Sequence, residues 1–441
     1  MMPAAEELFR ATIFHTPHNP FQLDIDDPHA LVCHQDGGLL IRNGRIASCG
    51  DYETLRAANR GTVTTDWRTG FVVPGFVDTH VHFPQLRIIG ALGRSLLDWL
   101  ECVALPEEAR MADVLYAADT ARQFLRALVS HGTTTALVFG AHFASATAQL
   151  FEAAATSGLR IVSGLVLSDR HLRPELHQTP EQAYRESAQL IERYHNRGRL
   201  LYAVTPRFAF STTDAMLAVC QQLLTERGDV RLQTHVNESV TELAELERLF
   251  PWAKDYLAIY ERYKLTTDRS VMAHNIHATD LELERMAASG TAVAHCPASN
   301  AALGSGVFPM ARHIRAGVNC SLGTDVGGGV GFGMMKEGLH AYLMQRLAPV
   351  GEPLDAARLL YLTTLAGAKA LGLDAEIGDF GDGKAADFVY LRPPDGSVLA
   401  SAVRHADSPR HALSSLFTMS GAESVREVRV GGDVVYRAEQ P

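Results

Sequence analysis

The sequence has no paired cysteines, no excess of positive charge and no long apolar run, and each absence removes a class of function. Its six cysteines, Cys33, Cys49, Cys102, Cys220, Cys296 and Cys320, are scattered without a Cys-x-x-Cys pair or a zinc-ribbon spacing. They read as reduced thiols rather than as a disulfide framework or a thiolate metal site. A net charge of −10 offers no basic field to nucleic acid or to an anionic membrane. No stretch is long enough to span a bilayer, and Met1 to Glu7 lacks the basic and apolar regions of a secretory leader. The cytoplasm is the expected compartment. Lysine is also scarce at first, with none before Lys254.

What is present suits a large folded barrel with an appended domain. In 441 residues, 46% are hydrophobic and 20% charged, a globular balance with ample core material. Short apolar runs alternate with amphipathic stretches, which predicts repeated βα units and a parallel sheet. The candidate strands are Phe71 to Val77, Thr133 to Phe139, Arg160 to Leu167, Leu200 to Thr205, Val230 to His235, Ser270 to Ala273, Thr291 to Ala294 and Val318 to Gly323. Their number matches a closed (β/α)₈ TIM barrel. Helical spacing runs through Ala112 to Leu128, Pro180 to Tyr194 and Thr213 to Leu224. The ends differ from this pattern. Gly37 to Ile46 reads as a strand, an Asn43-Gly44 turn and a second strand, and Ala386 to Leu391 and Val428 to Tyr436 are further strands. Neither end fills a core alone, so residues 1–70 and 380–441 are expected to combine into one small β domain flanking a catalytic barrel at 71–379.

The chemistry gathers at the strand ends. In His80-Val81-His82 two imidazoles at i and i+2 share one strand face and can hold one ion. Later strands end in His235-Val236-Asn237-Glu238, in His274 and in Thr324-Asp325. The C-terminal strand ends form the active face of such a barrel. Taken singly, each residue reads equally well as a satisfied core group. Together, His80, His82, His235, His274 and Asp325 make a donor set suited to zinc or ferrous iron.

The order Pro74-Gly75-Phe76-Val77-Asp78-Thr79-His80-Val81-His82, then His235, His274 and Thr324-Asp325, resembles the amidohydrolase superfamily across essentially the whole chain, and its deaminase branch most. The pieces His82-Phe83-Pro84-Gln85, Leu97-Asp98-Trp99-Leu100, Thr205-Pro206-Arg207-Phe208 and His295-Cys296-Pro297-Ala298-Ser299-Asn300 are similar to the guanine deaminases of that branch. The resemblance implies one zinc per chain, or ferrous iron, on His80, His82, His235 and Asp325, with His274 beside the water on that metal. It implies Glu238 as proton shuttle and purine contacts from Gln85, Arg207 and Phe208. The implied reaction is hydrolysis of guanine to xanthine and ammonia in purine catabolism, with 8-oxoguanine or isoxanthopterin as alternative substrates. A homodimer is the expected assembly.

Physical chemistry accounts for each role. A bound divalent ion lowers the pKa of its water to about 7. Asp325 can take a proton from that water, Glu238 can protonate the ring and then the leaving amine, and His274 can stabilise charge at the attacking oxygen. Arg207, donor-only, matches a purine carbonyl and leaves adenine badly paired. Gln85 offers both a donor and an acceptor. Trp99 can stack on the base or serve as a lid or core aromatic. His295 reads as structural, and His131, His142 and His277 carry no constellation. The segment Asp325 to Gly331 is richer in glycine than the family's usual loop.

Three other classes compete. A binuclear cyclic-amide hydrolase of this fold bridges two metals with a modified lysine, and the strand Leu200 to Thr205 has none. Zinc deaminases of the other fold pair His-x-Glu with Pro-Cys-x-x-Cys, a combination absent here. A non-catalytic scaffold should have broken ligand positions, whereas all of these are filled.

Overall fold

A computed structural model describes residues 6–439; Met1 to Ala5, where the expectation of no leader rests in part, lie outside the described residues. Eight parallel strands form the barrel wall: Phe76–His82, Thr133–Phe139, Arg160–Gly164, Leu200–Pro206, Arg231–Val236, Ser270–His274, Ala292–His295 and Cys320–Leu322. A further short strand, Val166–Leu167, pairs with the end of Leu200–Pro206, so the long run predicted from Arg160 to Leu167 is broken at Leu165. Val77, Val162, Ala203, Val271 and Ala292 pack with Leu365, Leu371 and Ile377 in one apolar cluster. Val77, Val271 and Ala292 stand near the starts of their strands and Val162 and Ala203 at the middle, so this apolar plug lies beneath the C-terminal strand ends.

The first and last barrel strands meet through a polar seam. Asp325 N–H donates to the His80 carbonyl at 2.8 Å and His82 N–H to the Val326 carbonyl at 2.9 Å. Buried Asp78 accepts from Thr324 Oγ1 at 2.5 Å and from the Thr324 and His80 backbone N–H groups. Burial, opposed by these hydrogen bonds, pushes the Asp78 carboxyl up to about 7.

A seven-stranded sheet built from both ends of the chain flanks the barrel. The N-terminal strands Glu6–His15, Val32–Arg42, Arg45–Asp51 and Val63–Pro74 join the C-terminal strands Phe388–Leu391, Val425–Val430 and Asp433–Arg437 through the antiparallel pairing of Val63–Pro74 with Phe388–Leu391. The strand expected from Phe71 to Val77 therefore divides: Phe71 to Pro74 belongs to the flanking sheet and Phe76 onward to the barrel. Pro74 cannot donate to a ladder. A Cβ on Gly75 would overlap the Thr134 side chain, so only glycine passes there. Its N–H bonds Asp387 of the flanking unit while the next, on Phe76, bonds Gly132 of the barrel.

The helices follow their apolar spacing. Val114–Ser130 buries Ala117, Ala121, Phe124, Leu125 and Leu128, and starts two residues later than its periodicity suggests because Asp113 caps the Leu115 and Tyr116 N–H groups. The Asn43-Gly44 turn takes φ of 51° and 75°, as a tight hairpin requires. No helix among the described residues is long and apolar enough to cross a membrane.

Thr324→Val keeps shape but removes a hydrogen bond to a buried carboxyl. We expect a loss of about 1–3 kcal/mol, seen in urea denaturation as a lower midpoint with an unchanged slope; an unchanged midpoint would show that the seam does not depend on this bond.

Candidate active site

At the C-terminal strand ends of the barrel, ligand atoms of His80, His82, His235 and Asp325 lie within 4.8 Å of one another, all four residues buried. His80 Nε2 and His82 Nε2 each stand 3.2 Å from Asp325 Oδ1. His235 Nδ1 donates to the Arg207 carbonyl at 2.6 Å, which turns Nε2 toward the cluster and fixes the tautomer, as the outer hydrogen bond of a metal-bound histidine does. Burial, with neighbouring imidazoles, holds His235 well below its ordinary value, and burial brings His80 to about 4. Both rings are therefore neutral and have a lone pair to give. Burial disfavours the Asp325 carboxylate, but the surrounding imidazoles outweigh it and keep the group ionised. Three imidazoles and a carboxylate fit a single divalent ion.

His274 and Glu238 stand beside this set. His274 donates Nδ1–H to Asn300 Oδ1 at 2.8 Å, while its buried Nε2 has no protein partner and sits 3.4 Å from Glu238 Oε2 and 3.8 Å from Asp325 Oδ2. Glu238 Oε1 accepts from Ser305 Oγ at 3.2 Å. Burial first, then the charge of Asp325, push the Glu238 carboxyl up to about 8, so it can carry a proton at neutral pH. Backbone geometry aims these groups. Asn237, His274, Asn275 and Asp325 all have φ between 49° and 70°, a left-handed conformation that costs roughly 1–3 kcal/mol at non-glycine positions and clusters at functional sites.

One cleft joins these groups to Gln85, Arg207, Phe208 and Trp99. Arg207 is 3% exposed, so it is not a solvated surface charge. Its Nη1 donates to Glu108 Oε2 at 2.6 Å. Gln85 Nε2 donates to Glu108 Oε1 at 2.7 Å, and Gln85 Oε1 accepts the Gly327 N–H at 3.0 Å. The glycine-rich segment thus has a physical reason: a Cβ on Gly327 would stand 2.6 Å from the Gln85 carbonyl oxygen. Trp99 packs with Leu96, Ala104 and Leu303 in a small apolar cluster over the site.

Residues 71–435 match the amidohydrolase family. The chain belongs to that family. It is 52% identical over 98% of its length to a probable guanine deaminase of Deinococcus radiodurans, covering 99% of that protein. It is 38% identical over 93% of its length to guanine deaminase of Escherichia coli, covering 94% of that protein. Among solved structures, guanine deaminase from Bradyrhizobium japonicum superposes with a TM-score of 0.93 at 34% identity, over 99% of this chain and 100% of that one.

Several site residues of this amidohydrolase had no sequence signal. Glu108, 99 positions from Arg207, is one of two acids in the short helix Leu105–Ala109. Ser305 and Asn300 had no assigned role. His142, read as carrying no constellation, is buried with Nε2 3.1 Å from Glu108 Oε2. His131 and His277 bond backbone carbonyls, and His295 stacks on Phe308 outside the four-donor set.

Two further clusters have metal-like spacing. One, His80, His274, Cys296 and Asp325, overlaps the first, but burial raises its thiol well above the ordinary range. The other, His15, His34 and Cys49, lies in the flanking sheet. There His15 Nδ1 accepts the Phe380 N–H, which places the ring proton on Nε2, and burial pushes Cys49 up to about 12. Neither offers a ready donor set. Elemental analysis is thus expected to find one ion per chain, lost in His235→Ala; two ions in the active protein, or full metal in the variant, would rule this assignment out.

Proposed function

We propose that this amidohydrolase is a metal-dependent guanine deaminase, converting guanine and water to xanthine and ammonia. The supporting observation is a single small cavity lined by the four-donor cluster, by Glu238 and by Gln85 and Arg207.

An ion on His80, His82, His235 and Asp325 would supply a water activated at neutral pH. Asp325 has Oδ1 against His80 and His82, which leaves Oδ2 to take a proton as the water attacks C2. His274 Nε2, facing both carboxylates, hydrogen-bonds and orients that water. Glu238 would deliver its proton to the ring nitrogen, take the proton of the new C2 hydroxyl and hand it to the leaving amine as the C2–N bond breaks, and regain a proton from Asp325, with Ser305 holding its other oxygen. Arg207 has one nitrogen on Glu108 and none of its other nitrogens on a protein acceptor among the described residues, so it has donors left for the purine carbonyl. Phe208 and Trp99 cover the faces of the base. Zinc, ferrous iron being the alternative, together with purine catabolism, the cytoplasm and a homodimer, belongs to the same proposal, since imidazole and carboxylate donors suit both metals.

Ammonia release from guanine, 8-oxoguanine, isoxanthopterin, adenine and cytosine tests the substrate, with the highest kcat/KM expected on guanine. A clear preference for another of the five would replace this reading. Glu238→Gln is expected to retain the metal while lowering kcat by roughly 100-fold or more; near-normal turnover would assign the proton transfers elsewhere.

A further inference from the structure

We propose that Glu108 is the positioning residue that sets substrate selectivity, holding Gln85 and Arg207 in the orientation in which they meet the base while touching no substrate atom itself. The inference rests on the assignment of Gln85 and Arg207 to the purine.

Glu108 is 2% exposed and does not line the cavity. Its two oxygens are divided between the two purine-facing side chains, with Oε1 taking Gln85 Nε2 at 2.7 Å and Oε2 taking Arg207 Nη1 at 2.6 Å. An ionised carboxylate only accepts, so it admits just one orientation of the Gln85 amide. The Gly327 N–H, which only donates, demands the same orientation from the other end. One N–H and one lone pair of the amide then remain for a ligand. Arg207, equally buried, would be an uncompensated charge without this partner, a strongly unfavourable state. His142 completes the arrangement: its Nε2 lies 3.1 Å from Glu108 Oε2 while its buried Nδ1 has no partner, consistent with a neutral ring whose proton is on Nε2. Burial opposes the Glu108 charge, but Arg207 and His142 outweigh it, so the acceptor-only form persists.

A neutral amide at this position can accept at only one end. In Glu108→Gln, the new NH₂ group faces a donor, either Gln85 Nε2 or Arg207 Nη1, and one of the two must turn away. Misplacement by about 1 Å can cost roughly 100-fold in rate, and the loss should fall on substrates that need both contacts.

The test is steady-state kinetics with metal analysis on the purified holoenzyme. Glu108→Gln is expected to lower kcat/KM on guanine by roughly 100-fold, mainly through KM, with metal content unchanged and the guanine-to-adenine ratio reduced. Glu108→Asp, which keeps the charge but is one methylene shorter, should fall between wild type and Gln. In a double-mutant cycle with Arg207→Ala, the added cost of Glu108→Gln should shrink to a few-fold, because the two act as a unit. Independent multiplication of the two losses, equal losses on guanine and adenine, unchanged guanine kinetics, or loss of fold or metal in both Glu108 variants would each overturn the proposal. If the wild type prefers another of the five heterocycles, the substrate assignment falls, and the same cycle run on that heterocycle decides the role of Glu108.

Discussion

Closure of the barrel is the constraint on which the site depends. His80 and His82 belong to the first strand and Asp325 follows the last, and only the seam between those strands brings them together. The Asp78–Thr324 bond spans 246 positions, and the Asp325 N–H donates to the carbonyl of His80, itself one of the donors. The contacts that close the wall therefore also set the donor geometry. Holding a buried carboxyl and several left-handed residues at this rim is unfavourable locally, and the apolar plug of the barrel must offset it.

A second organising device is the pairing of buried charges. Arg207 enters the cavity wall with its compensating carboxylate already bonded, and Glu108 in turn satisfies Gln85 and His142. The His235 ring is oriented by the carbonyl of Arg207, so one residue serves the donor cluster through its backbone and lines the cleft with its side chain. This economy follows from the βα architecture, in which each strand ends at the same rim and each end contributes both a carbonyl and a side chain.

The parallel barrel, the terminal sheet and the candidate donor residues are readable from the chain alone, because alternation and strand-end placement are local properties repeated every few residues. His80-Val81-His82 is legible since two residues of a strand necessarily share a face. His235 and Asp325 are legible because they stand at the end of apolar runs. Where the strand through Phe71 divides needs the folded chain, because the switch at Pro74-Gly75 depends on which neighbour accepts the N–H groups of Gly75 and Phe76. The tertiary structure alone decided the partners of Glu108, His142, Ser305 and Asn300. Those residues act through contacts between segments far apart in the chain, and a buried carboxylate in a short helical turn has the same local pattern as a solvated one until the fold places an arginine against it.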